Sequence, residues 1–419
     1  MRVLWFAHAP DPRLAGRLGI RPARSGYWTY SLADAMVAMG SMTHLTIASH
    51  ARVREVTTVA RDGVTHVVMP ERSARDTRSL PSAELTAQCQ ALIDRLAPDI
   101  VHIHGVEKNY GLVVRDTKVP MVSSIHGLIH RMGKNWFSSM SVRETLTSQT
   151  WEEARRRSGS LVGGVLVAQR GKLERRVVEA NTAFIGVSSW DRAHVRLINP
   201  TARYWQIFPA LRPQFLSGRW DQASVQDNTR VFTAVAAVPW KGLHILLRAV
   251  ALLRGRGRPV RLRLAGDFSV QTSGYRRFLD AEIDRLNVRD AIEAIGFLGP
   301  ARLVEELESA AVAIIPSFVE NYSLTLMEAM AVGTPTIVSF TGGLGTVARD
   351  GVDGLFFIPG DEALLAEQIE RLLTDAALAR SLSISARTVA AERHDPASLA
   401  QQTRDAYGEV VGKGPGIPV

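Results

Sequence analysis

Glu320 and Glu328 are separated by seven residues in PSFVENYSLTLMEAMAVGTP (316–335), and the start of a helix runs between them. Ser323 suits an N-cap ahead of Leu324, Leu326, Met327, Met330 and Ala331 at helical spacing, and Gly333 with Pro335 ends the run. The first amides of such a helix lack intrahelical partners and present N–H groups at the positive end of the helix dipole. Rising from a short apolar strand (312–315, VAII), that end favours a phosphate. Carboxylates flanking a phosphate are repelled by it unless each has hydroxyl donors of its own, and sugar hydroxyls at both ends of a diphosphate meet that need. Lys241, in VPWKG after the strand-like 231–236, sits where a cation meets ligands of an α/β sheet. His126 follows the strand-like 121–125 in the same manner.

These residues also carry a resemblance. ENYSLTLMEAMAVGTP, with a strand before it and Gly342-Gly343 after it, resembles the paired-glutamate motif of retaining GT-B glycosyltransferases, family 4 in particular, and the similarity extends over nearly the whole chain. It implies an α/β fold of two Rossmann-like domains facing across a cleft, with a last helix returning to the first. It further implies that Glu328 holds the ribose hydroxyls of a nucleoside diphosphate sugar, Glu320 the sugar hydroxyls, and His126 the sugar from the opposing wall. Lys241 and the amides around Asn321, Tyr322, Ser323 and Leu324 would hold the diphosphate. Gly26, in the long loop after the first strand, and Gly266, after the strand-like 260–265, would line the donor site. The implied reaction is a retaining, front-face transfer assisted by the leaving phosphate, with no covalent nucleophile, no cofactor and no divalent metal, as the lack of an Asp-x-Asp motif agrees. The chain departs from the pattern at Ala236, where an arginine often stands five residues before the lysine. Gly345-Thr346 replaces a frequent Pro-Glu, and Asn321 and Ser323 replace frequent glycines.

The elements that must position these groups alternate. Strand-like runs at 3–7, 44–48, 64–69, 100–104, 121–125 and 183–187, with helical runs at 30–39 and 83–96, give a βαβ rhythm and a parallel sheet. A second series follows at 231–236, 260–265, 292–295, 312–315, 336–339 and 355–358. The chain thus divides into an acceptor-binding domain (1–214), a polar linker (215–229), a nucleotide-sugar domain (230–395) and a returning helix with a frayed tail (396–419).

Of 419 residues, 46% are hydrophobic and 22% charged, which excludes disorder, and no window is long and apolar enough to span a membrane. The N-terminus lacks a signal peptide and the one cysteine, Cys89, lies on an apolar helical face; both fit a cytoplasmic chain. The net charge of +9 falls unevenly: residues 1–200 hold 27 Lys and Arg against 17 Asp and Glu. The excess is densest over 131–176, with Arg155-Arg156-Arg157, Arg170, Lys172, Arg175 and Arg176 near Trp136 and Phe137. A solvated helical face and peripheral attachment to an anionic membrane both answer to this charge; nucleic acid is disfavoured because no recognition motif accompanies it. His102, His104, His126 and His130 invite a metal reading, but no cysteine or carboxylate pattern completes a site. GLIHRMGK (127–134) fails as a P-loop, and the glycosylation match at Asn321-Tyr322-Ser323 falls inside a helix cap. The reading is a glycosyltransferase acting on a sugar or lipid-linked acceptor in cell-surface polysaccharide or glycolipid synthesis. A sugar-nucleotide epimerase and a non-catalytic sugar-nucleotide-binding protein are the alternatives.

Overall fold

The computed structural model describes all residues except 23–25, 41–43, 74–75, 77, 139, 149, 156–158, 226–227, 267–273 and 413–419. Arg156, Arg157 and the tail beyond Gly412 therefore lie outside the described residues. The chain forms two compact units: residues 1–130, 166–212 and 393–419, and residues 131–165 and 213–392.

The first unit is built on strands β1 (Arg2–Phe6), β2 (His44–Ala51), β3 (Thr57–Arg61), β4 (Val64–Pro70), β5 (Ile100–His104), β6 (Met121–Ser124), β7 (Ala183–Gly186) and β8 (Arg203–Gln206). Their order is β3-β4-β2-β1-β5-β6-β7-β8, parallel throughout except for the β3–β4 pair. β5, β6 and β7 are buried along their whole length, as strands covered on both faces must be, which is why they read as short apolar runs. β3 and β8 escaped the sequence reading because their alternating or half-exposed residues carry no continuous apolar signal.

The helix Pro396–Val410 packs on the helix Tyr27–Ala38 and sends Tyr407 into the core. Its hydroxyl meets His102 Nδ1 at 2.6 Å, and His102 Nε2 meets Ser124 Oγ at 2.6 Å. His102 and His104, two apart on β5, stack with ring centroids 3.9 Å apart, so the strand periodicity did bring them to one face.

The second unit holds β9 (Arg230–Ala234), β10 (Arg261–Ala265), β11 (Ile292–Gly296), β12 (Val312–Ile315), β13 (Thr336–Ser339) and β14 (Leu355–Phe357), all parallel, in the order β11-β10-β9-β12-β13-β14. The order reverses between β9 and β12, which opens a crevice at their carboxyl ends.

Two boundaries differ from the sequence reading. Residues 131–165, assigned there to the first domain, belong to the second unit. Trp136 packs on Trp240 with centroids 4.5 Å apart, and a Glu153 carboxylate oxygen accepts the Gly274 N–H at 2.8 Å. Such tertiary contacts leave no periodic trace. The supposed linker 215–229 is likewise part of the second unit. Phe215 is fully buried, and Trp220 donates its indole N–H to the Ala310 carbonyl at 2.8 Å, so two aromatic anchors outweigh the polarity of their neighbours. Residues 226 and 227 lie outside the described residues.

Burial holds several imidazoles neutral. His102 is lowered to about 3 and His244 and His394 to about 4, in each case chiefly by burial. In the unfolded chain these rings titrate near 6.5. Above about pH 6.5 they are neutral in both states; below it the unfolded chain binds protons that the folded chain refuses, so stability falls as pH falls. Urea midpoints should hold steady above pH 7 and decline from pH 6.5 to 5. A midpoint rising on acidification over that window contradicts the assignment.

Candidate functional site

In the second unit the crevice between β9 and β12 collects the acidic and basic residues singled out by the sequence. β9 leads through a short 3₁₀ turn, Pro239–Lys241, to Gly242, whose φ is 70°. A Cβ at Gly242 would lie 1.9 Å from the Pro316 carbonyl oxygen, so the two loops touch backbone to backbone and only glycine fits. The Phe318 N–H donates to the Trp240 carbonyl at 2.7 Å and fixes the register of the same two loops. This approach brings Lys241 Nζ to within 2.5 Å of Glu320 Oε1.

Glu320 is held on three further sides. The Ser317 hydroxyl donates to Glu320 Oε1 at 2.8 Å. The Gly343 N–H donates to the Glu320 carbonyl at 3.0 Å, and a Cβ on Gly342 would sit 1.9 Å from that same oxygen. Ser339 and Thr341 hydroxyls tie the backbone carbonyls of Ser317 and Phe318. The Glu320 side chain is 6% exposed and that of Lys241 25%, so this ion pair is half-shielded from water and is not a surface pair of negligible worth.

Ser323 caps the helix Leu324–Val332 by accepting the Leu326 N–H at 3.3 Å, as its spacing predicts. Among the described residues no protein acceptor takes the N–H of Leu324 or Thr325, so the first turn keeps free donors. Asn321, Tyr322 and Glu328 are buried and none of them is without a partner. Gly266 follows β10 with φ 145° and donates its N–H to the Gly296 carbonyl at 2.9 Å.

In the first unit His126 lies just past β6. The Trp28 indole N–H donates to His126 Nε2 at 3.3 Å. An indole only donates, so Nε2 is an acceptor and the ring's proton sits on Nδ1. The ring is neutral: its pKa is lowered to about 4, mainly by burial, with Lys108 adding and Glu107 opposing. Gly26, with φ 91°, is the N-cap of the helix Tyr27–Ala38 and turns the chain so that Trp28 faces His126. Residues 23–25 of that loop lie outside the described residues.

His130 is drawn elsewhere, to the buried Glu174 carboxylate and to His194. Among the described residues no three His, Cys, Asp or Glu side chains form a group able to hold an ion. Cys89 is buried and its thiol pKa is pushed up by that burial, consistent with a core residue. Sequence reasoning missed Ser317 and Trp28. Ser317 had a faint signal, a hydroxyl three residues before a glutamate at a strand end; Trp28 had none, since its role depends on a contact 98 residues away.

Residues 218–389 match the model of the family described as glycosyl transferases group 1, and residues 29–147 that of glycosyl transferase 4-like proteins. A glycosyltransferase of Methanocaldococcus jannaschii is 28% identical over 184 residues, 44% of this chain and 46% of the relative, so the chain spans about half of that protein's length. The fold is shared with a sucrose-phosphate synthase of Thermosynechococcus elongatus, at a TM-score of 0.74, 19% identity and coverage of 98% of this chain and 99% of that one. The Anabaena protein HepE, solved in complex with UDP-glucose, superposes at a TM-score of 0.67 with 16% identity, covering 98% of this chain and 100% of that one. With both family models matched and the two parallel-sheet units in place, the chain belongs to the group 1, family-4-like glycosyltransferases of the GT-B fold.

Proposed function

We propose that this protein transfers a sugar from a nucleoside diphosphate sugar to an acceptor hydroxyl with retention of anomeric configuration. The observation that carries this reading is the Lys241–Glu320–Ser317 cluster beside the free first-turn amides of the helix Leu324–Val332, at the reversal point of the second sheet. HepE, which shares the fold, was solved with UDP-glucose, which supports a nucleoside diphosphate donor here.

In this reading the Lys241–Glu320 pair is the resting arrangement. On donor binding the ammonium turns to the diphosphate, and Glu320 accepts the hydroxyls of the sugar, which replace the lost cation as hydrogen-bond donors. Glu328 takes the ribose hydroxyls. As the anomeric C–O bond breaks, negative charge grows on the leaving phosphate, where Lys241 and the amides of Leu324 and Thr325 stabilise it. The acceptor oxygen bonds to the same face, and its proton passes to the leaving phosphate oxygen. His126, neutral with its proton on Nδ1, contacts the sugar by hydrogen bonding and not as a cation. Protein groups serve in place of a divalent ion, and the donor is the substrate, with no cofactor needed.

The acceptor is a sugar or a lipid-linked sugar, and the enzyme works at the inner face of a membrane. No helix among the described residues is long and apolar enough to cross a bilayer. Five of the thirteen exposed large hydrophobics among the described residues fall within 142–165: Val142, Leu146, Trp151, Leu161 and Val165. Arg143 and Arg155 lie among them, and the combination of basic and apolar side chains suits an anionic interface. Trp136, singled out by the sequence as part of this surface, is engaged by Trp240 instead; Trp151, 78% exposed, takes that place.

Two measurements check this. Glu320→Gln and Lys241→Ala, once shown to be folded, should each lower kcat/KM by at least tenfold, about 1.4 kcal/mol of barrier, with free nucleotide released only when acceptor is present. Parental rates in both variants, or nucleotide release without acceptor transfer, would refute the assignment. Separately, the protein should float with vesicles containing phosphatidylglycerol and not with neutral ones, and Trp151→Glu should abolish flotation. Equal recovery of parent and variant contradicts the membrane surface.

A further inference from the structure

One face of the second sheet is incompletely covered near its edge strand, β11. β10 and β11 pair Leu262 with Ile292 and Leu264 with Ala294, and the register slips just beyond, between Leu264 and Ala265. Alternate residues of a strand share a face, so Ile292 and Ala294 point the same way, and at 294 that face carries only a methyl group. Between these two strands and the helices Leu243–Gly255 and Gly274–Arg285 lies a cavity of about 120 Å³. Its inner wall is aliphatic: Leu243, Leu247, Leu264 and Leu279 are all buried. At its outer end it meets Ala294, Arg276, Asp280 and Arg289, which are part-exposed or exposed. Neither Lys241 nor Glu320 lines it, so it is separate from the crevice between β9 and β12.

An interior packed as densely as an organic crystal leaves few gaps of this size. The aliphatic wall offers water too few hydrogen-bonding partners to hold it; an engineered cavity of about 150 Å³ with such a lining stays dry and takes benzene. The mouth adds charge. Arg276 is engaged by Asp280 at 3.0 Å and Arg289 by Asp284 at 2.6 Å, all four side chains more than a third exposed. Ion pairs so exposed contribute little, and either guanidinium can exchange its carboxylate for another. Of the described residues lining the cavity, two are cationic and one is anionic, so the mouth favours an anion. A plain hydrocarbon would fill the inner wall and make no use of the arginines, whereas a bare anion would leave the apolar space empty. We propose that this cavity binds a small amphiphilic carboxylate: an apolar group of about six carbon atoms, the size such a cavity takes, sits against the leucines, and the carboxylate sits at the mouth beside Arg276 and Arg289. The site is independent of the sugar-transfer reading. Its occupant packs on the helix that follows Gly242 without entering the crevice that holds Lys241.

The test uses the full chain with hexanoate, benzoate, hexanol and acetate as probes, read by calorimetric titration and by the thermal unfolding midpoint. Hexanoate and benzoate should bind and raise the midpoint, because a ligand of the folded state stabilises it by mass action. Acetate, which lacks the apolar group, and hexanol, which lacks the charge, should each bind at least roughly tenfold more weakly. Ala294→Leu extends a side chain into the cavity, so it should raise the ligand-free midpoint and weaken hexanoate binding by roughly tenfold or more. If that variant does not fold, Ile283→Phe fills the same space from the helix side and serves in its place. Arg276→Gln combined with Arg289→Gln should bring hexanoate down to the affinity of hexanol and leave hexanol unchanged. Four results overturn the proposal: no binding of either aromatic or aliphatic carboxylate, equal binding of hexanoate and acetate, equal binding of hexanoate and hexanol, or undiminished binding in the filled variant. Dimerisation of the parent by light scattering that Ala294→Leu abolishes would give the cavity to a second copy and overturn it as well.

Discussion

Everything in the second unit that touches chemistry depends on how closely the loop after β9 approaches the loop after β12. Gly242 against the Pro316 carbonyl, and Gly342 against the Glu320 carbonyl, are each contacts that a single methyl group would break. They let Lys241 meet Glu320 over a gap of 79 residues in sequence. The backbone is the part held most firmly: hydroxyls of Ser339 and Thr341 and the Gly343 amide hold the carbonyls of Ser317, Phe318 and Glu320, leaving the Glu320 carboxylate to exchange partners. A carboxylate on a fixed backbone beside a partly exposed cation suits a site that must release one partner to take another.

The two sheets treat their charges in opposite ways. At the reversal of the second sheet, opposite charges are in contact and partly shielded, so the empty site pays little for them. At the reversal of the first, between β1 and β5, the buried Lys108 ammonium has only the His8 ring within hydrogen-bond reach among the described residues, at 3.4 Å, and burial keeps the imidazoles of His102 and His126 neutral. Deeper in the first unit His102 is bonded on both ring nitrogens, by Tyr407 and Ser124.

Much of this was legible because it is local. A strand, a capped helix and two glutamates lie within one stretch of about twenty residues, and Ser323, Leu324–Val332 and Gly333 appear in the structure at the positions their types predict. The β5 histidines fell on one face because strand periodicity admits no other outcome. What stayed hidden depends on contacts between distant segments. Trp28 matters through His126, Trp136 through Trp240, and Trp220 through Ala310. In each case an aromatic residue that looked like surface, linker or loop is placed by a partner that no periodicity announces. The displaced boundaries at 131–165 and 215–229 have this same origin.

Ala236 sharpens the electrostatic argument. It is exposed at the carboxyl end of β9, in a position where the family resemblance leads one to expect an arginine, and it contributes no charge. Lys241 is then the cation of this loop that reaches the crevice, and it already neutralises Glu320. An arginine alongside would let Glu320 keep its lysine while the diphosphate took the guanidinium. Without it, on the proposed sugar-transfer reading, one ammonium serves the carboxylate in the empty state and the phosphate in the loaded one. Glu320 then faces an incoming phosphate with Ser317 as its remaining side-chain donor, and only a donor that brings its own hydroxyls restores the hydrogen bonds it gives up. On that reading the missing arginine raises the site's demand for a sugar attached to the diphosphate over a diphosphate alone, since the bare nucleotide would take the cation and offer Glu320 nothing in return.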